Sequence, residues 1–398
     1  MDGKRLIRSI KLTNLLSFGP DGMEIELQPL NVLIGANGSG KSNFIESIRL
    51  LKLLPGGLSE CINDGGGVSE WIWKGRISGL EEAAIEADFF YEERDEVLQY
   101  GLRFGAYSNT NNLFFEEVLL RDEGQRIPGI PWYHFQTIGN SVDYIGDPYK
   151  AWTLGSTSRT STSESVFRHL AATLQNPAIE YIAQCLSEFQ IYTYASLGRL
   201  SSLRKEQNLN DNADFLNEDG SNLAAVINDL DNQAGAIDKL SEKLGVFYDR
   251  ARNPKIRSWG NGVVISLEED GLTRTVPATR LSDGMLRYLC LLVLLLHPTP
   301  PPLMCIEEPE LGMHPDILPT IAELLIDASQ RTQLIVTTHS EMLVSAIGAK
   351  HPDAIVVCER TNKGTTMERL EPEKLAGWLK DYSLGEVWLK GAIGGTRW

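Results

Sequence analysis

The run Gly35-Ala36-Asn37-Gly38-Ser39-Gly40-Lys41-Ser42 has the spacing GxxxxGK[ST], which suits the cradling of phosphate oxygens. Its glycines let successive backbone N–H groups curl toward an anion, and a helix starting behind them adds partial positive charge. In that chemistry Asn37, Gly38, Ser39 and Gly40 form the cradle, and Lys41 reaches the β- and γ-phosphates. The Ser42 hydroxyl ligates Mg²⁺.

Three further groups could act on the same ligand. Pro302-Leu303-Met304-Cys305-Ile306-Glu307-Glu308 is an apolar strand ending in two carboxylates. Glu307 is expected in the metal shell and Glu308 on the attacking water; an acidic strand end alone is more often a solvated turn. Leu281-Ser282-Asp283-Gly284-Met285 precedes a helix. Ser282 there could simply be an N-cap, but LSxG followed by an acidic strand end has the order of an ABC signature and Walker B. In that arrangement Ser282 and Gly284 face the γ-phosphate held by another subunit. Leu334-Ile335-Val336-Thr337-Thr338-His339-Ser340 places His339 at a second strand end, in the position of a γ-phosphate switch.

These residues need rigid elements behind them. Leu6–Leu12 and Met23–Leu27 alternate, and Leu30–Ile34 is an apolar run of buried-strand length entering the Gly-rich loop. Ser42–Leu54 has helical spacing, stopped by Pro55-Gly56. Ile85–Tyr91, Leu98–Phe104 and Phe114–Leu120 read as strands of a flanking antiparallel sheet. Residues 154–165 and 206–222 read as polar loops, and 166–188 and 223–250 as helical, with a break near Gly235. Val263–Glu269 and Leu272–Val276 flank Asp270-Gly271, a hairpin signal. Helices over 284–296, 316–329 and 340–348 then alternate with strands over 303–306, 333–338 and 354–359, which argues for a mostly parallel sheet. The fold class expected is α/β, an ABC-type ATPase head. Residues 1–125 carry the P-loop, 126–262 form a largely helical insertion, and 263–398 carry the signature, Walker B and switch histidine.

Composition narrows the setting. The chain has 398 residues, 42% of them hydrophobic, and a net charge of −16, so nucleic-acid contact is expected only at a local patch. Cys61, Cys185, Cys290, Cys305 and Cys358 are scattered singly, which fits a reducing, cytoplasmic setting. No segment reaches the roughly 18 apolar residues of a membrane span, and Met1–Arg5 leads into no signal-peptide core. No heptad array extends into a coiled-coil arm. Arg250, Arg252, Lys255 and Arg257, near Tyr248 and Trp259, offer a nucleic-acid contact, with a solvated charged face the favoured reading. Trp378, Trp388 and Trp398 are expected to pack on the core rather than dock a partner.

Asn14-Leu15-Leu16-Ser17-Phe18 ahead of GANGSGKSN, followed by LSDG, IEEPELGMHP and VTTHS, resembles the RecF/SMC-like ATPases, especially the compact ATPases allied to the OLD family. Motifs carry the likeness over about 1–60 and 263–398; Asp219-Gly220-Ser221-Asn222-Leu223, leading into a helix, extends it more loosely. The resemblance implies a head that binds ATP with Mg²⁺, dimerises around two ATP molecules, and has Leu311-Gly312-Met313-His314 as its D-loop. It further implies a switch acting on DNA or on a partner effector, such as a separate Toprim-type nuclease in phage defence. This chain departs from the pattern at three points. No Gln stands between Gln28 and Gln99 to serve as the Q-loop residue, Leu16 replaces a basic residue near the phosphates, and Glu307 replaces an Asp. A transporter-type ABC ATPase fits poorly, because Ser282 lies so far beyond Ser42. An OLD-like fused nuclease fits poorly because residues 340–398 leave too little chain for a Toprim domain.

Overall fold

The computed structural model describes residues 3–75, 82–107, 113–120, 133–145, 154–158, 161–173, 176–193, 202–233, 235–260, 262–375 and 377–394. Its centre is a six-stranded sheet in the order Gln190–Tyr192, Leu303–Glu307, Gln333–Thr337, Leu30–Ile34, Ile355–Thr361 and Gly364–Arg369. The first five strands run parallel and the last is antiparallel. Leu30–Ile34 is buried throughout, as a strand covered on both faces must be. Its side chains divide by the two-residue period of a strand. Leu33 joins Cys305, Ile335 and Val356 on one face. Leu30, Val32 and Ile34 join Ile306, Val336 and Val357 on the other.

The first face packs against the P-loop helix Lys41–Lys52, whose Phe44, Ile45, Ile48 and Leu51 share one cluster with Ile10, Leu12, Ile85 and Leu102. Those last four belong to an eight-stranded antiparallel sheet. Its order is Met23–Glu26, Ile7–Thr13, Glu82–Tyr91, Glu96–Ala106, Leu113–Leu120, Tyr133–Ile138, Ser141–Ile145 and Leu154–Ser158. The P-loop helix thus lies between two sheets. The second face carries the helices Asp283–Leu296, Leu318–Ala328 and Glu341–Gly348. The expected α/β ABC-type head with a flanking antiparallel sheet is the architecture found. Among the described residues no helix is long and apolar enough to cross a membrane.

Several local readings need correction. Residues 126–262 are less helical than expected: Tyr133–Ile138, Ser141–Ile145 and Leu154–Ser158 extend the antiparallel sheet, and Gln190–Tyr192 joins the central one. Residues 154–158, read as loop, pair with Ser141–Ile145; the ladder's backbone bonds outweigh a Ser/Thr-rich composition that predicts a turn. The 262/263 boundary falls inside a hairpin, because Ala251–Trp259 pairs along Gly262–Glu269. Asp270-Gly271 does turn the chain, with Gly271 at φ 83°, but only Val276–Pro277 pairs beyond it. The boundary at 125/126 and Trp398 lie outside the described residues. The helical stripe over 223–250 breaks as expected, into Leu223–Asn232 and Ala236–Phe247, at Gly235 with φ 77°.

One buried side chain joins the two large sheets. Gln333, fully buried at the start of its strand, accepts from the Ile7 amide (2.8 Å) and donates to Ile7 O (2.8 Å) and Gln28 O (3.1 Å). Gln333→Leu keeps the volume but takes this partner from the buried Ile7 N and Ile7 O, while Gln28 O still accepts from Asn31 Nδ2 at 2.6 Å. It is expected to cost about 2–4 kcal/mol, seen as a lower denaturant midpoint with an unchanged slope. An unchanged midpoint would show that the sheets are held together without it.

Candidate functional site

The sheet order makes neighbours of the Walker B strand, the switch strand and the P-loop strand, so their carboxyl ends emerge side by side. Open α/β sheets bind ligands at such an edge. The register pairs Glu307 with Thr337 and Thr337 with Leu33, and Thr338 N donates to Leu33 O at 3.2 Å.

After Ile34 the loop turns through Gly35, Gly38 and Gly40, all at positive φ. Gly40, at φ 108°, caps the P-loop helix, and a Cβ there would come within 2.3 Å of Thr365 Oγ1. Gly38 opens the other way, with nothing within 4 Å of a Cβ. Lys41 is 6% exposed, and its ammonium donates to two neutral carbonyls of the loop, Gly35 O (2.8 Å) and Ala36 O (3.2 Å). Burial pushes its pKa below the ordinary lysine value, with Cys358 and Glu308 opposing the shift. Asn37 and Gly38 are exposed at the loop tip, and Ser39 Oγ is buried without a hydrogen-bond partner among the described residues.

The Ser42 hydroxyl lies close enough to the Glu307 carboxylate to favour its charged form. Burial nonetheless raises the Glu307 carboxyl above the usual value, and Glu46 and Glu308 add to the shift against the Ser42 hydroxyl. Glu308 follows at φ 45°, a left-handed backbone that costs a non-glycine residue about 1–3 kcal/mol. Its amide donates to Thr337 O (2.9 Å) and Thr337 Oγ1 (3.2 Å). His339 Nε2 stands 3.6 Å from Glu308 Oε1. Burial, then the Lys41 charge, lower the imidazole pKa, so it is neutral at pH 7. Lys41, Ser42, Glu307, Glu308 and His339 therefore line one edge. A buried ammonium, a helix N-terminus and a hydroxyl–carboxylate pair form a donor set that fits a magnesium-bound polyphosphate.

Ser282 and Gly284 are not drawn into that edge. Ser282 is exposed and caps the helix Asp283–Leu296, accepting from Met285 N at 3.1 Å. A Cβ on Gly284 would meet Gly312 O at 2.6 Å, and Arg287 donates to Leu311 O at 3.2 Å. The start of this helix and the loop 311–314 therefore form one packed unit.

Four residues escaped the sequence reading. Glu310 Oε1 accepts from Thr338 Oγ1 (2.6 Å) and His339 N (2.8 Å), tying the Walker B turn to the switch. Arg204, far away in sequence, donates to Ala278 O (2.7 Å) and Leu281 O (2.8 Å) and pairs with Asp283. It fixes the turn before Ser282. Thr365 bonds Ser17 Oγ and Ser39 O, both at 2.9 Å. Thr193, at the end of Gln190–Tyr192, lines a small cavity with Glu307 and Glu308. Only Glu310 lies within a quoted motif, IEEPELGMHP, which gave it no role; neither a motif nor a period marks Arg204, Thr365 or Thr193. Elsewhere, Arg252 is paired with Asp270, Lys255 with Glu268, and Arg257 donates to Thr275, as a solvated charged face would be. Trp388 is buried and Trp378 exposed.

Over residues 30–129 and 186–345 the chain matches the family described as "AAA domain, putative AbiEii toxin, Type IV TA system". The chain belongs to this family. Its fold matches solved SMC heads. For the SmcHead bound to the C-winged helix domain of ScpA the TM-score is 0.59 at 14% identity, covering 93% of this chain and 99% of that one. For an Smc head with an extended coiled coil, bound to the C-terminal domain of ScpA and derived from Pyrococcus furiosus, it is 0.52 at 14%, covering 94% and 99%. For an Smc head with a coiled coil and joint from Pyrococcus yayanosii it is 0.50 at 12%, again covering 94% and 99%. No curated protein matches the chain. Family and fold together make it a P-loop ABC-type ATPase head of the SMC and RecF kind.

The environment of Lys41 predicts a pH dependence for this ATPase head. Phosphate binds the protonated amine, so affinity is full below the free-protein pKa of Lys41 and declines as pH rises through it. Because that pKa is depressed, ATP affinity should begin to fall at a lower pH than an ordinary lysine would give. Equilibrium binding between pH 7 and pH 10.5 measures this, and a flat profile across the range would contradict the assignment.

Proposed function

We propose that the chain binds ATP with Mg²⁺ and hydrolyses it between two copies of itself, acting as a conformational switch. Asn37 to Ser42 hold the phosphates, with Lys41 exchanging two loop carbonyls for phosphate oxygens. Ser42 and Glu307 would hold Mg²⁺, which neutralises phosphate charge. Glu308, turned toward the edge by its strained backbone, orients and deprotonates the attacking water. Neutral His339 donates to the γ-phosphate. Glu310 is a positioning residue that keeps the histidine backbone in register with Glu308.

One observation supports the shared site above all. The N-terminus of a 14-residue helix, capped by exposed Ser282 and locked to the Gly312 loop, presents anion-binding chemistry to solvent while its own P-loop lies elsewhere. Ser282 and Gly284 then complete the partner copy's site, and Arg204 holds that helix start in place. ATP closes such a dimer and hydrolysis opens it. The motion is read by DNA or by a partner effector in the cytoplasm, as the toxin–antitoxin wording of the family description and the ScpA-bound state of the solved heads favour.

Lys41→Ala should abolish ATP binding, and near-wild-type affinity in a folded mutant would sink the phosphate assignment. Ser282→Arg should bind ATP but neither close nor hydrolyse. Glu308→Gln should bind, close and stall, so that a dimer accumulates on size exclusion with ATP. Mixing Lys41→Ala with Ser282→Arg places both lesions in one of the two shared sites and leaves the other intact, so phosphate release should return. A Glu308→Gln protein that stays monomeric with ATP, and no rescue on mixing, would rule out the shared site.

A further inference from the structure

The outer face of the eight-stranded sheet carries a groove of about 400 Å³ that the proposed mechanism leaves unused. Glu82–Tyr91, Glu96–Ala106 and Leu113–Leu120 build it, and their register sets its walls. Glu86, Gly101 and Val118 stand in one row across the three strands, and Asp88, Gln99 and Leu120 in the next. Ile85, Ala87, Leu102 and Leu119, on the same strands, are buried in the core, so these rows face outward by the two-residue period.

An outward sheet face in water is ordinarily polar. This one is acidic along one wall, at Glu86 and Asp88, and apolar along the other, at half-buried Val118 and Leu120. Between them Gly101 leaves the floor bare. It lies outside the positive-φ region that favours glycine, and no bulge interrupts the ladders on either side. A Cβ there would meet Val118 Cγ1 at 3.1 Å and nothing else within 4 Å. Glycine in mid-strand costs about 0.5–1 kcal/mol relative to alanine; what it provides here is room for another chain to approach.

The spacing of the walls selects the guest. Strands two apart lie about 10 Å from each other, the diameter of one α-helix. Glu86 and Asp88 are about 7 Å apart along their strand, close to the separation of helix positions i and i+4. Charge selects further. Glu86 meets Lys11 in an exposed 3.1 Å pair, and Asp88 accepts from the Ser9 hydroxyl at 2.8 Å. Arg103 lies between Glu82 (3.8 Å) and Glu116 (3.7 Å), and Glu117 turns inward to Tyr100 and Ser165. Nucleic acid, an anionic lipid surface or a second copy of this face would each bring like charge to the groove.

We propose that this groove docks one helix of a partner protein. Lysine or arginine a turn apart on that helix would face Glu86 and Asp88, and its apolar side chains would face Val118, Leu120 and the bare floor. This rests on the effector reading above and gives that effector a docking surface.

The probe is a synthetic amphipathic helix of about four turns, with a leucine stripe flanked by lysines at i and i+4. Fluorescence anisotropy compares it with a scrambled peptide of the same composition. Wild type should bind the helix about tenfold more tightly than the scramble. Gly101→Trp fills the floor and should lower affinity for the helix about tenfold. Glu86→Lys with Asp88→Lys should lower it as far. Asp231→Lys with Asp238→Lys, an equal charge change at exposed positions elsewhere, should leave it within about twofold. Retained ATP affinity shows that each variant folds. A helix bound no better than its scramble, or weakened alike by both charge reversals, overturns the proposal. So does groove-dependent binding of duplex DNA, of phosphatidylserine vesicles or of a second copy on size exclusion. Docking that fails while Glu308→Gln still dimerises with ATP removes only this inference. Docking that holds while Glu308→Gln stays monomeric removes the switch reading and leaves the groove.

Discussion

Parallel pairing of three strands is the constraint on which everything else depends. Leu303–Glu307, Gln333–Thr337 and Leu30–Ile34 hydrogen-bond side by side in one direction, although the last lies near the opposite end of the chain. Parallel strands cannot be joined by tight turns, so the chain must leave and return through helices, and each strand ends at the same edge. The P-loop, the Glu307-Glu308 pair and His339 meet there for that reason. The chemistry is then tuned by small adjustments at the strand ends: the left-handed Glu308, the Thr337 hydroxyl beneath its amide, and Glu310 reaching across to the switch.

The second organising feature is the closure of the two chain ends around the P-loop helix. The turn at 14–19 and the hairpin at 360–365 interlock so tightly that a Cβ on Gly19 would lie 1.8 Å from Lys363 O. Thr365 then reaches between them to Ser39 O. The phosphate loop is therefore clamped from outside by residues that touch no phosphate, which preorganises it before any ligand arrives. Preorganisation matters because loop ordering would otherwise be charged against binding energy.

How much of this was legible in the sequence follows from how local each signal is. The buried strands, the Gly-rich loop and the strand-end carboxylates announce themselves within a few residues, and the structure places them on one edge. Arg204, Thr193 and Thr365 have no local signature; they matter only through carbonyls and hydroxyls contributed by remote stretches. The helical reading of 126–262 failed for a related reason. Leu154–Ser158 is polar and small, and becomes a strand only because Ser141–Ile145 offers it a ladder. Thr193 shows the same limit: it comes to line a cavity with Glu307 and Glu308 only because the strand Gln190–Tyr192 pairs with the Walker B strand.

The charge balance bears on how the head can work at all. A chain of net charge −16 repels polyanions at long range, yet among the described residues the buried Lys41 ammonium donates only to the neutral carbonyls of Gly35 and Ala36. Burial makes that cation costly, as its depressed pKa records, and the cost is relieved when phosphate oxygens replace Gly35 O and Ala36 O. Binding therefore draws on a local imbalance rather than on the overall field, which salt screens beyond roughly 10 Å. The same reasoning applies to the exposed helix end at Ser282. Its partial charge acts only within a turn's distance, so it adds nothing to its own P-loop and acts only on a phosphate brought up against it. In the shared site proposed above, two copies of an acidic protein would gain attraction at that face only once an anion lay between them, and the nucleotide would supply that anion.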